Sequence, residues 1–303
     1  MIDLKEIPVT FGPDQSLVGM VASPVGDDGL PVACLMLNSG AHHRVGPRRI
    51  NVKLARQLAE RGISSIRFDL SGHGDSDRVR GASNLQNQAI QDLRAAMDVV
   101  ESVLGIRRFL VIGLSSGAGH GLALSLVDSR VIGLFMFDGP SFPDRRVLWE
   151  RSTRRAMAVL ADPTVLGKTA RWLQRQLSAS AATASMNPLL YETGEPEVSA
   201  ALFRRSMTQV SEQAIAVLLF YSGSFNAVDR SRDQLALFAS EPFMRHIEYH
   251  FDAKVDRGLT SVAAQRIFMA VVCDWALRVT HARIGPARER RSESDFIQLT
   301  TVF

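Results

Sequence analysis

Apolar runs and apolar-faced segments alternate along most of this chain. The uninterrupted run Val32 to Leu37, with Ile63 to Leu70, Val131 to Phe137 and Ile215 to Tyr221, reads as strands buried on both faces, and Ile247 to Phe251 reads as a last strand. Between them the spacing is helical. Arg49 to Glu60 is one such segment. A second is capped by Ser83 or Asn84 and carries Leu85, Ile90, Leu93, Met97 and Val100 or Val103 on one face before Gly105, and Leu259 to Thr280 is a third. Upstream, Glu6 to Phe11 and Ser16 to Ala22 flank Gly12-Pro13-Asp14 and predict a hairpin. After Tyr221, Ser222 to Asp233 reads as a loop and the residues to about Ala239 as a helix. Strands alternating with helices this regularly predict right-handed crossovers and an α/β architecture with a mostly parallel sheet covered on both faces.

The alternation stops between Pro140 and Ala214. Trp149, Leu160, Trp172, Leu177, Phe203 and Val210 recur there at helix-like intervals, with Pro163 and Pro188 as breakers and no strand-like run. The organisation expected is a core of residues 1–140 and 215–282, a helical cap inserted at 141–214 over the sheet's carboxyl edge, and a tail at 283–303. From Asp144 to Leu177 the segment holds eight Arg or Lys against three acids. That excess suits a solvated face, or a basic rim that greets an anionic acyl carrier, cofactor or phosphate. The terminal Phe296 to Phe303 alternates at strand period and would suit an edge strand, a homodimer contact or a disordered end.

One junction carries chemistry. Arg108 to Val127 runs as a short apolar block, then Gly113-Leu114-Ser115-Ser116-Gly117, then a small-residue helical segment. A Gly-x-Ser-x-Gly turn between strand and helix places a serine on a strained elbow, since the glycines permit a backbone approach that side chains would block. The rest of the composition changes little. The net charge of +4 and the absence of a zinc-finger or RNA-binding motif give no sign of a nucleic-acid partner. Cys34 and Cys273 sit in apolar segments and read as buried free thiols of a reducing compartment. Met1 to Gly12 lacks the charged-then-apolar layout of a signal peptide, and no window approaches membrane-spanning length, so a soluble cytoplasmic protein is expected. No histidine pair has helical metal-ligand spacing, and neither a metal nor another cofactor is expected.

With the elbow, the Asn38-Ser-Gly-Ala41 and Arg44-Val-Gly-Pro-Arg48 stretches, and Phe68-Asp-Leu-Ser-Gly-His-Gly-Asp-Ser76, the chain resembles the α/β-hydrolase superfamily over nearly its whole length. It looks most like the serine-aminopeptidase-like and exosortase-associated branch. The resemblance implies an α/β-hydrolase fold and acyl transfer on a small ester, thioester or amide. Ser115 would be the nucleophile, and the oxyanion would be held by the amides of Ser116 and of Ala41 or Gly40. The acid in this family follows the strand ending here at Tyr221, a register that lands on Asn226; Asp229 and Asp138 are the other candidates, and the choice stays open. The family's histidine falls on Arg257, when Leu259-Thr260 is matched to the family pattern. An arginine keeps its proton at any working pH and cannot act as a general base.

The seven histidines therefore need weighing. His250 lies closest to the required place and is the candidate base. His42 and His43 in the oxyanion loop and His73 after the fourth strand would line the substrate. His120 would pack under the sheet edge, and His246 and His281 carry no signal. Two readings follow: a serine hydrolase or acyl-transfer enzyme with an unorthodox base, or a degenerate hydrolase that binds a ligand or partner or runs a non-hydrolytic reaction. A small-molecule acyl substrate, anionic or carrier-bound, fits the first.

Overall fold

The computed structural model describes residues 4–26, 29–40, 42–78, 85–161, 196–224, 229–230 and 232–284. Its strands are β1 (Leu4–Phe11), β2 (Leu17–Pro24), β3 (Ala33–Leu37), β4 (Ser64–Phe68), β5 (Phe109–Leu114), β6 (Val131–Phe137), β7 (Ala216–Ser222) and β8 (Ile247–Asp252). They form one sheet in the order β1-β2-β4-β3-β5-β6-β7-β8. The β1–β2 hairpin is antiparallel and joins β4 antiparallel, while every pairing from β4 to β8 is parallel. The helices are α1 (Ile50–Ala59), α2 (Leu85–Leu104), α3 (Ser116–Val127), α4 (Arg145–Ala161), α5 (Pro196–Glu212) and α6 (Val262–Ile284).

Burial on both faces explains the unbroken apolar strands. Alternate residues of β3, β5 and β6 feed two separate cores: Leu35, Val111 and Leu134 pack with Leu93, Met97, Leu122 and Phe203, and Cys34, Ile112 and Phe135 pack with Leu54, Phe268 and Trp275. The second core is tied by edge-to-face rings, with Phe135 5.5 Å from Trp275 and Phe137 5.0 Å from Phe268. Cys34 and Cys273 are free and buried there, and burial pushes the Cys273 thiol up to about 11, which keeps it protonated and inert.

Two expectations change in detail. The helix predicted up to Ala239 is a pair of 3-10 turns over Asp233–Phe238, with Leu235 at φ −121° outside helical geometry. Its backbone is drawn into a pairing with Phe142, whose amide donates to the Gln234 carbonyl at 2.6 Å and whose carbonyl accepts from Leu237 at 3.1 Å. Within the segment assigned to a cap, α4 and α5 are helices, but α5 lies in the layer against the sheet. Phe203, Met207 and Val210 are buried in the same core as Val217 and Leu219, and Gln209 donates to the Leu126 carbonyl at the end of α3. Residues 162–195 and the terminal run from 285 lie outside the described residues.

Candidate active site

The elbow forms where β5 meets α3. Ser115 takes φ 52° and ψ −112°, a conformation that costs a non-glycine residue on the order of 1–3 kcal/mol. Tight packing imposes it. A Cβ on Gly113 would stand 2.5 Å from the Ala118 Cα, and one on Gly117 would stand 2.6 Å from the Asn38 carbonyl oxygen, so both positions exclude side chains. The Ser115 amide donates to the Phe137 carbonyl at 2.7 Å, which locks the elbow to the end of β6. α3 begins at Ser116, whose amide is therefore one of the first-turn donors without an intrahelical acceptor.

The loop after β3 is fastened to this turn. The Gly40 amide donates to the Ser116 hydroxyl at 2.6 Å, so that donor is engaged and the Ser116 amide stands beside it. Ala41, the alternative oxyanion donor, lies outside the described residues. The rest of the loop is pinned through Asp69, whose side chain is fully buried. It accepts from the Arg44 amide at 2.5 Å, from the Arg44 guanidinium at 2.5 Å and from the Asp75 amide at 3.2 Å. Asp75 also accepts from Arg44 at 2.7 Å, and that contact holds its carboxyl below the usual carboxylate range, with His43 adding to it. His43, Asp69 and Asp75 could by spacing hold a metal ion, but the Arg44 guanidinium already neutralises the two carboxylates.

All seven histidines are described, and no hydrogen bond joins any imidazole to the Ser115 hydroxyl among the described residues. His250 pairs in register with Phe220, Phe220 with Phe137, and Phe137 with Leu114. It thus stands three strand spacings, roughly 14 Å, from the residue before the serine. Its ring meets Phe220 edge-on at 4.6 Å, its Nε2 is buried without a partner among the described residues, and burial lowers its pKa. His42 turns its Nδ1 back to the Ser39 carbonyl at 2.5 Å, His43 faces Asp75 at 3.2 Å, and His73 bonds the Ser71 carbonyl at 3.0 Å. Burial, with the charge of nearby His73 added, lowers His120 to about 4. His246 precedes β8 at the amino end of the sheet, away from the elbow, and His281 is exposed on the last turns of α6.

The candidate acids separate clearly. Asp229 accepts from the Tyr249 hydroxyl and from the Asp233 amide at 3.2 Å, and among the described residues no histidine joins it. Asn226 lies outside the described residues. Asp138 follows Phe137 directly, in the row of Ser115, and is buried with φ 45°. Its carboxylate accepts from the Ser222 amide at 2.8 Å and the Ser222 hydroxyl at 2.6 Å, and faces Arg257 Nε at 3.4 Å. Arg257 comes from the β8–α6 loop, where its amide donates to the Ser224 hydroxyl at 2.7 Å and its side chain remains half exposed. Ser222 and Ser224 were not singled out in the sequence. Nothing in an isolated serine at a strand end predicts which carboxylate it will meet.

The carboxyl edge therefore gathers Ser115, the Ser116 amide, Asp138 and Arg257. Comparison with known proteins agrees with the frame. Residues 31–247 match the family model for serine aminopeptidase, S33. No curated protein matches the sequence. Among solved structures, a proline iminopeptidase from Mycobacterium smegmatis aligns over 92% of this chain and 99% of its own at 17% identity, with a TM-score of 0.54. The esterase domain of a Rhodothermus marinus protein aligns over 91% and 99% at 17% identity with a TM-score of 0.52, and a cold-adapted esterase from an Arctic intertidal metagenomic library over 91% and 93% at 16% with 0.50. Identities this low speak for the fold, and the family model, spanning well over half the chain, speaks for descent. The protein has the α/β-hydrolase fold and belongs to the serine aminopeptidase S33 family of hydrolases.

Proposed function

We propose that the protein is an acyl-transfer enzyme in which Ser115 attacks an activated carbonyl, a thioester or aryl ester in preference to an amide. The observation that carries the reading is the elbow itself: a serine kept at φ 52° by two side-chain-free approaches, beside a first-turn amide of α3. Such a donor supports the charge that develops on the carbonyl oxygen.

The leaving-group preference comes from what stands at the base position. An imidazole takes the serine proton and returns it to the leaving group. The Arg257 guanidinium holds its proton and does neither. An amine leaving group needs that returned proton. A thiolate (pKa about 8.5) or a phenolate (pKa about 10) departs without it. In the proposed step the Ser115 Oγ–carbon bond forms, the serine proton passes to solvent, and the bond to sulfur or aryl oxygen breaks with its electron pair on the leaving group. Hydrolysis of the acyl-serine needs a base to activate water, so the acyl form accumulates. A second reading, a degenerate hydrolase that binds an acyl ligand without turnover, is favoured by the Asp138–Arg257 contact, since an ion pair stands in place of acid and imidazole.

The test is labelling of the full chain with a fluorophosphonate probe beside Ser115→Ala, together with matched 4-nitrophenyl ester and 4-nitroanilide substrates. Labelling confined to Ser115 and reaction of the ester alone are expected. A folded protein that takes up neither probe nor ester leaves the binding reading standing.

A further inference from the structure

We infer that the Ser116 hydroxyl is a built-in occupant of the oxyanion site: it holds the Gly40 amide in the resting protein and releases it only as negative charge develops on the carbonyl oxygen that Ser115 attacks. The inference rests on the acyl-transfer reading and adds a restraint that the protein places on that step.

Two amides converge beside Ser115. The Gly40 amide donates to the Ser116 Oγ at 2.6 Å, and Ser116 opens α3 with a first-turn amide that has no intrahelical acceptor. A serine Oγ lies roughly 3 Å from its own nitrogen, so the two nitrogens stand within about 6 Å of each other. One oxygen atom can accept from both at donor distances of about 2.7–3.1 Å. The Ser116 Oγ already takes the Gly40 half of that position. A backbone amide has a single proton to donate, and this one is engaged.

The contact is not what holds the loop. The Asn38 Nδ2 donates to the His43 carbonyl at 2.9 Å, the Asn51 Nδ2 donates to the Asn38 Oδ1 at 2.7 Å, and the Arg44 amide donates to buried Asp69 at 2.5 Å. The loop backbone also seats directly on α3, where a Cβ on Gly117 would meet the Asn38 and Leu37 carbonyl oxygens at 2.6 and 2.8 Å. Removing the hydroxyl therefore leaves the Gly40 amide in place and unengaged. The surroundings are open to a substrate oxygen that replaces it: Gly40 is exposed, and among the described residues a Cβ built on it would meet nothing within 4 Å beyond its chain neighbours.

The two competitors for the amide differ in charge. A ground-state carbonyl oxygen and a hydroxyl oxygen are both neutral acceptors, so binding of the ester alone does not displace Ser116. As the Ser115 Oγ–carbon bond forms and the serine proton passes to solvent, the carbonyl π pair moves onto its oxygen. A charged acceptor makes a hydrogen bond roughly twice as strong as a neutral one. The exchange then favours the substrate, and the Gly40 donor acts on the transition state rather than on the bound ester. The amide–hydroxyl bond that is given up slows the step.

The experiment measures the rate at which 4-nitrophenyl acetate acylates Ser115 in the full chain, by intact mass, in the parent and in Ser116→Ala. Ser115→Ala gives the background, and thermal melting establishes that each variant is folded. Ser116→Ala should acylate about fivefold faster, the rate equivalent of one neutral hydrogen bond of about 1 kcal/mol. An equal or slower rate in Ser116→Ala overturns the inference while leaving the acyl-transfer reading intact, since a hydroxyl that merely positions the site slows the step when it is lost. If neither protein acylates, the acyl-transfer reading fails separately, and solvent exchange of the Gly40 amide, followed by nuclear magnetic resonance, decides the contact. Exchange about fivefold faster in Ser116→Ala than in the parent supports it, and equal exchange in the two overturns it.

Discussion

Replacing Arg257 with histidine is the most informative single change, because it restores a base where the fold already offers an acid. Asp138 is buried, fixed by two donors from Ser222, and in contact with the present side chain at 3.4 Å. The Nδ1 of histidine sits one bond closer to the backbone than the Nε of arginine, so the imidazole falls roughly 1.5 Å short of the arginine position. The contact with Asp138 would therefore be loose and the geometry less than ideal. Positioned acid–base catalysis is worth about 10²–10⁴-fold, and a loosely held ring should deliver the lower end, near 10²-fold or about 2.7 kcal/mol of barrier. The assay is steady-state release of 4-nitrophenol from 4-nitrophenyl acetate. Arg257→His should turn over where the parent stalls as an acyl form, and its rate should rise with pH through about 6.5 as the imidazole loses its proton. The double variant Arg257→His with Asp138→Asn should lose most of the gain, since the ring then lacks a carboxylate to fix its tautomer. A folded Arg257→His protein with no gain at any pH would refute the claim that position 257 is the vacant base position.

Other consequences are structural. Gly117→Ala should lower the melting temperature by several degrees, because its Cβ would meet the Asn38 and Leu37 carbonyl oxygens at 2.6 and 2.8 Å and overpacking of that kind costs about 1–3 kcal/mol. Asp69→Ala should destabilise by about 3 kcal/mol in urea unfolding, since it strips a carboxylate from the mostly buried Arg44. His120 sets a pH dependence: its folded pKa of about 4 lies below the unfolded value of about 6.5, so the unfolded chain binds the proton first. Stability is then full above about 6.5 and falls as pH drops toward 4, by roughly 3 kcal/mol, and His120→Gln should flatten that slope in urea titrations across the window.

Much of this was legible in the sequence because burial leaves marks on composition. Strands such as Ala33–Leu37 and Phe109–Leu114 are apolar at successive positions since each face meets a helical layer, which keeps Cys34, Leu35 and Met36 all buried. The elbow was legible because only glycine fits at 113 and 117. Arg257 was legible as a departure from a family register, but its partner was not. The family register landed on Asn226 and left Asp229 and Asp138 as alternatives, and what separates these two is contact: the Tyr249 hydroxyl engages Asp229, and Ser222 with Arg257 engages Asp138. Helical spacing likewise predicts that Phe203 and Val210 share a face without saying what that face meets, and it is the core against α3 rather than the space above the sheet edge. The turns at Asp233–Phe238 were lost to the pairing with Phe142, ninety residues earlier in the chain, which no local pattern records.

The central claim is that Ser115 accepts an acyl group without an imidazole. Intact-mass measurement after mixing the full chain with 4-nitrophenyl acetate tests it directly. One acetyl group should accumulate on the peptide containing Ser115, persist for many minutes at neutral pH, and be absent from Ser115→Ala. A folded protein that gains no mass on Ser115, or one that turns the ester over rapidly with no acyl form detectable, would contradict the account.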